Sequence, residues 1–132
     1  MIVADTNVLA YYFVGFASPL ADAAIDWRLR DADWRAPELW RSEFRNVLAN
    51  YLRAKQLTSG SAVKIWREAD AAMAVGTMAA DAERVLALAA RSGCSAYDCE
   101  YVELAQRLDV PLLTADKKLI AAFPAICRAL KA

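Results

Sequence analysis

The 132-residue chain contains no histidine. That absence removes Ser-His and Cys-His nucleophile pairs, histidine acid–base pairs and imidazole metal ligands together. Chemistry, if present, falls to carboxylates. Net charge is also missing, because sixteen Lys and Arg balance sixteen Asp and Glu. Without a global basic field, any contact with nucleic acid must rest on a local patch. Cysteine is scarce and odd in number: Cys94, Cys99 and Cys127 form no CxxC pair. They are too few and too poorly spaced for a zinc site and read as reduced packing residues. Four Gly and four Pro against 58% apolar residues leave little room for disorder or low complexity. No apolar run approaches the roughly 20 residues that span a bilayer, and no basic stretch followed by an apolar one opens the chain. These features predict a soluble, cytoplasmic protein with no membrane partner. The length suits one domain, residues 1–132.

What is present begins with Met1-Ile-Val-Ala-Asp-Thr-Asn-Val-Leu9. Ile2–Ala4 is a short apolar, β-branched run that reads as a buried strand, the central one of a parallel sheet. Asp5-Thr6-Asn7 ends it with residues that cap helices or, at the carboxyl end of a parallel strand, face a ligand crevice. Val8–Val14 reads as a short helix or turn, and Ser18-Pro19 opens a helix reaching about Arg30. Trp34–Ala36 is a short strand, with Pro37 starting the next element. Leu39–Lys55 shows an apolar stripe at Trp40, Phe44, Val47, Leu48 and Tyr51, with Glu43 on its border. Thr58-Ser59-Gly60-Ser61 reads as a break, followed by a helix with Ala62, Ile65, Trp66, Ala69 and Met73 inward. Val75–Ala80 is either a loop or a brief strand. Helices then follow at Asp81–Arg91 and Ala96–Leu108, a strand at Val110–Leu113, and a short helix at Lys117–Phe123. Ala125–Leu130 is an edge strand or a tail. Alternating short strands and helices predict an α/β class fold, a parallel sheet with helices on both faces.

Four acids stand out. On the Ala96–Leu108 helix, Tyr97, Tyr101, Val102, Leu104, Ala105 and Leu108 form the apolar arc; Glu100, Glu103, Gln106 and Arg107 form the wet face. Asp98 falls inside the apolar arc. An inward carboxylate needs a partner or a cation, although Ser95-Ala-Tyr-Asp98 also fits a capping box. Topology supplies a reason to group it with others. Asp5 and Asp116 each follow a strand, Glu43 lies early in the helix leaving a strand, and Asp98 lies at the start of a helix running back along the sheet. In a parallel sheet all four meet along one rim. Clustered carboxylates repel unless cations neutralise them, and hard oxygen ligands without histidine or thiolate select Mg²⁺ or Mn²⁺. Thr6, Asn7 and Thr114 stand beside these acids, either orienting them or capping helices.

With Asp5-Thr6-Asn7-Val8-Leu9, Glu43, Ser95-Ala-Tyr-Asp98 and Leu113-Thr114-Ala115-Asp116 in view, the sequence resembles the PIN-domain family and is most similar to its VapC-type toxins. The resemblance implies a three-layer α/β/α sandwich with a short-stranded parallel sheet. It implies a Mg²⁺- or Mn²⁺-dependent endoribonuclease, the toxin of a toxin–antitoxin pair, working as a homodimer whose antitoxin blocks the acidic pocket. Asp5 and Asp98 would be central metal ligands, Glu43 would complete an acidic triad, and Asp116 would be the fourth acid. Thr6, Asn7 and Thr114 match supporting positions. Cys99 and Glu100 depart from the small residues more usual after the acid. The chemistry implied is hydrolysis of an RNA phosphodiester by metal-activated water, leaving a 5′ phosphate.

Arg41, Arg45, Lys117 and Lys118 flank the acids and are candidates for RNA phosphate contacts, though each is also an ordinary solvated helix residue. Trp27, Trp34, Trp40 and Trp66 read as core or dimer packing rather than base platforms. A phosphatase with an Asp5 nucleophile is disfavoured because Asn7 replaces the second acid of Asp-x-Asp. A PIN-fold nuclease acting on DNA or in RNA processing, and a non-catalytic partner-binding domain, are the alternatives.

Overall fold

A computed structural model describes residues 1–132. Five parallel strands, β1 (Ile2–Ala4), β2 (Trp34–Pro37), β3 (Thr77–Met78), β4 (Leu112–Thr114) and β5 (Cys127–Ala129), form one sheet in the order β3-β2-β1-β4-β5. Seven helices flank it: α1 (Thr6–Val14), α2 (Pro19–Arg30), α3 (Leu39–Arg53), α4 (Ser59–Met73), α5 (Ala82–Ser92), α6 (Ala96–Leu108) and α7 (Lys117–Ala122). The expected α/β/α architecture is present, with β1 at its centre. No single helix is long and apolar enough to cross a membrane.

Local chemistry sets most boundaries. Asp5 caps α1, and Gly15 ends that helix in the left-handed region at φ 80°. Ser18, Asp81, Ser95 and Asp116 cap α2, α5, α6 and α7. Thr58 caps α4, so Ser59, Gly60 and Ser61 form its first turn rather than a break. Pro37 closes β2 instead of opening a helix. The undecided Ala125–Leu130 stretch contains edge strand β5, and the Val75–Ala80 stretch contains edge strand β3. Gly76 is what lets β3 dock. A Cβ there would sit 2.1 Å from the Trp34 carbonyl oxygen, while its own carbonyl accepts from the Ala36 N–H at 3.1 Å.

The core runs through the sheet, with Val3, Ala4, Leu112 and Leu113 all but inaccessible. Trp40 and Phe44 of α3 pack edge to face at 5.7 Å beneath Trp66 of α4, and Trp40 Nε1 donates to Thr77 Oγ1. Trp34 is buried beside Tyr12, and Trp27 and Trp66 are partly buried against the core.

Helix α6 departs from its expected amphipathic projection. Glu103, assigned to the wet face, is 1% exposed, whereas Tyr97, assigned to the apolar arc, is 64% exposed. The burial of Glu103 follows from α6 packing against the sheet on one side and α5 on another, so that two of its faces are covered. The Glu103 carboxylate is neutralised there. It accepts from Arg107 Nε at 2.8 Å and from the Asp81 backbone N–H at 3.2 Å, and Arg107 also donates to the Ala79 carbonyl. The three cysteines are free and buried. Burial pushes the Cys99 and Cys127 thiols up, Cys127 to about 11, which makes them packing groups rather than nucleophiles.

Candidate active site

Strand order reverses direction at β1, which has β2 on one side and β4 on the other. In an open parallel sheet that switch point leaves a crevice beyond the carboxyl ends of the two central strands. Asp5 follows β1 and Asp116 lies two residues beyond β4, so the sequence places both acids at this crevice.

Asp5 is buried, with 7% exposure. Its Oδ1 accepts from the Thr6 N–H at 2.8 Å; its Oδ2 accepts from Thr114 Oγ1 at 2.7 Å and Asn7 Nδ2 at 3.2 Å. Asn7 also accepts from the Ala115 N–H at 3.1 Å, so one amide side chain ties the start of α1 to the end of β4. The Asp116 N–H donates to Thr114 Oγ1. Burial raises the Asp5 carboxyl to about 6; Thr114 and Thr6 pull it down, while the charges of Glu43 and Asp98 add to the rise.

Glu43 reaches the crevice from the second turn of α3. Its Oε1 accepts from Tyr101 Oη at 2.6 Å and from Thr6 Oγ1 at 3.0 Å. The two hydroxyls also touch each other, in a contact where either is able to donate. Tyr101 is 1% exposed, and burial followed by the Glu43 charge pushes its phenol well above the usual range, so it stays a protonated donor. Sequence projection placed Tyr101 in the apolar arc and missed this role. The available signal was its position one turn beyond Asp98, on the side of α6 that faces the acids.

Asp98 sits in the first turn of α6, partly buried, with its N–H donated to Ser95 Oγ at 3.1 Å. Burial and the Asp116 carboxylate push its carboxyl up, against the pull of the Ser95 hydroxyl and Lys118. Asp116 uses Oδ1 to accept from the N–H groups of Lys118 and Leu119. Asp5 is therefore close enough to feel Glu43 and Asp98, and Asp98 close enough to feel Asp116.

The donor set is hard oxygen throughout, which suits Mg²⁺ or Mn²⁺. No group of three acids or thiols is disposed to hold an ion between them as they stand. That spacing still fits an ion carried by one or two carboxylates and completed by water, as Mg²⁺ prefers.

The flanking cations separate into two groups. Arg41 Nε is paired with Asp70 Oδ1 at 3.0 Å, and Arg45 lies over the Trp66 ring at 5.0 Å, so both are engaged with α4. Lys117 and Lys118 are exposed at the start of α7, and Lys118 acts on Asp98.

The family model described as PIN domain matches residues 2–124. Among solved structures, the chain is similar to PAE2754 from Pyrobaculum aerophilum, with a TM-score of 0.75 at 18% identity, covering 98% of this chain and 90% of that one. It is also similar to FitAcB from Neisseria gonorrhoeae, with a TM-score of 0.68 at 18% identity, covering 96% of each. No curated protein sequence matches it significantly.

Proposed function

Since the chain belongs to the PIN-domain family, whose members are generally nucleases, we propose that it is a divalent-metal-dependent endoribonuclease and the toxin of a type II toxin–antitoxin pair. The observation that carries the reading is the buried Asp5 carboxylate at the β1–β4 switch point, within electrostatic reach of Glu43 and Asp98. The Asp5-Thr6-Asn7 and Leu113-Thr114-Ala115-Asp116 motifs support the toxin assignment through their resemblance to VapC-type proteins.

In this reading Asp5 and Asp98 hold the Mg²⁺ or Mn²⁺ ion, with Glu43 and Asp116 at its edge. Held there, such an ion would supply Lewis-acid polarisation of a phosphoryl group and activation of water. Thr114 and Asn7 fix the Asp5 carboxylate. Tyr101 and Thr6 fix Glu43 through one oxygen and leave the other free. In this reading Lys117 and Lys118 contact the substrate phosphates, and Arg41 and Arg45, engaged with α4, are less suited to that role. The protein acts as a cytoplasmic homodimer held in check by an antitoxin.

Purified chain should cut RNA with Mn²⁺ or Mg²⁺ and stop in EDTA. Asp5→Asn and Asp98→Asn should each abolish cutting without unfolding the protein. Cutting that survives either substitution refutes the assignment. A small neighbouring reading frame whose product silences the activity would support the toxin role, and its absence would count against it.

A further inference from the structure

One hollow next to the acids has no role in the chemistry described above. It is a cavity of about 330 Å³ between α1, the turn after it and α3. Phe16 and Tyr51 form one wall, edge to face at 5.2 Å, and Tyr11 lines the cavity with them. Phe16 is 43% exposed at the mouth, so part of its ring remains open to a ligand. Asn7 forms the inner end, and its amide nitrogen is hydrogen-bonded to Asp5. On α3 the cavity begins at Val47, one turn and about 6 Å along the helix from Glu43.

We infer that this aromatic hollow is a nucleobase subsite, taking the unpaired base next to the cut phosphate of a single-stranded RNA. The inference rests on the nuclease reading and extends it to substrate recognition. Flat rings exposed beside a phosphodiester site provide stacking surfaces for bases lifted from a single strand. Of the polar lining groups, Asn7 is committed to Asp5 and Ser18 to the first turn of α2. The slot therefore combines stacking faces with the phenolic hydroxyls of Tyr11 and Tyr51 as edge contacts. Beyond Tyr51 a second hollow is edged by Asn50 and Gln56, with exposed Arg53 and Lys55 at the end of α3. Basic groups there complement the phosphate of the following nucleotide. A docked apolar helix would instead have to face Asn50, Gln56, Arg53 and Lys55 at that end.

The test uses the full chain carrying Asp98→Asn, so that RNA binds without being cut, and follows a labelled short single-stranded RNA by fluorescence anisotropy. Phe16→Ala and Tyr51→Ala should each weaken binding about 5- to 100-fold, and Tyr51→Trp should keep it. Phe16 lies half-exposed in a turn, so its variant also answers if Tyr51→Ala unfolds. Replacing one nucleotide by an abasic unit should weaken binding and remove the effect of Phe16→Ala. Unchanged affinity in the ring variants, with RNA still cut by the parent protein, overturns the subsite alone. Loss of all RNA binding and cutting in the unsubstituted protein overturns the nuclease reading with it. Unchanged RNA affinity with an altered oligomeric state overturns the subsite in favour of a second copy on this face.

Discussion

The Tyr101 hydroxyl and the Glu43 carboxylate, 58 residues apart, meet at 2.6 Å beneath the candidate active site. Tyr101→Phe keeps the ring and removes the donor. One hydrogen bond to a charged group is worth about 1.5 kcal/mol or more, so cutting should slow roughly tenfold. Mn²⁺ affinity measured by calorimetry should fall with it, because Thr6 alone would then hold Glu43. An unchanged Mn²⁺ affinity would show that Glu43 needs no such support.

Asp5 gives the metal-free protein a pH dependence. Its folded value of about 6 lies above the unfolded 3.8. As pH rises from about 4 to 6 the unfolded chain gives up this proton first, so the folded state binds more protons and loses stability. The contribution is full below pH 4, falls through that window by at most about 3 kcal/mol, and is flat above it. Denaturation in EDTA should show the fall, and Asp5→Asn should remove it. Mn²⁺ should oppose it, protecting more as pH rises.

Arg107 is the counter-charge for a carboxylate that has almost no access to water. Arg107→Met should destabilise the chain by about 3 kcal/mol, the low end for breaking a buried pair, because Arg107 is itself partly exposed. Urea denaturation would measure the loss. RNA cutting at a temperature where the variant is folded should be unchanged, since Arg107 ties α6 to the segment entering α5 and touches none of Asp5, Glu43, Asp98 and Asp116.

Gly76→Ala should cost more than its single methyl suggests. The new carbon meets backbone rather than a yielding side chain, so β3 must move away from β2. Amide exchange should then quicken at Ala36 and Glu38, whose N–H groups donate to Gly76 and Met78.

Much of this arrangement was legible because short signals carried it. The apolar run Ile2–Ala4 stopped at an acid, Ser18-Pro19 and Ser95 opened helices, and parallel topology put the ends of β1 and β4 side by side. Other parts were hidden for physical reasons. Thr58-Ser59-Gly60-Ser61 has loop composition, yet one capping hydroxyl suffices to start α4. Periodicity assumes one buried face, so it misplaced Glu103 on a helix covered on two. Tyr101 counted as an apolar ring, and its hydroxyl acquires meaning only when Thr6 and Glu43 arrive from elsewhere in the chain. The aromatic hollow likewise needs two helices and a turn to exist at all.

The outermost strands carry a consequence for assembly. With two residues in β3 and three in β5, each border offers an incoming chain only a few unpaired amides. Growth by strand addition is disfavoured at both ends, which leaves the helical and loop surfaces as the better faces for a companion molecule.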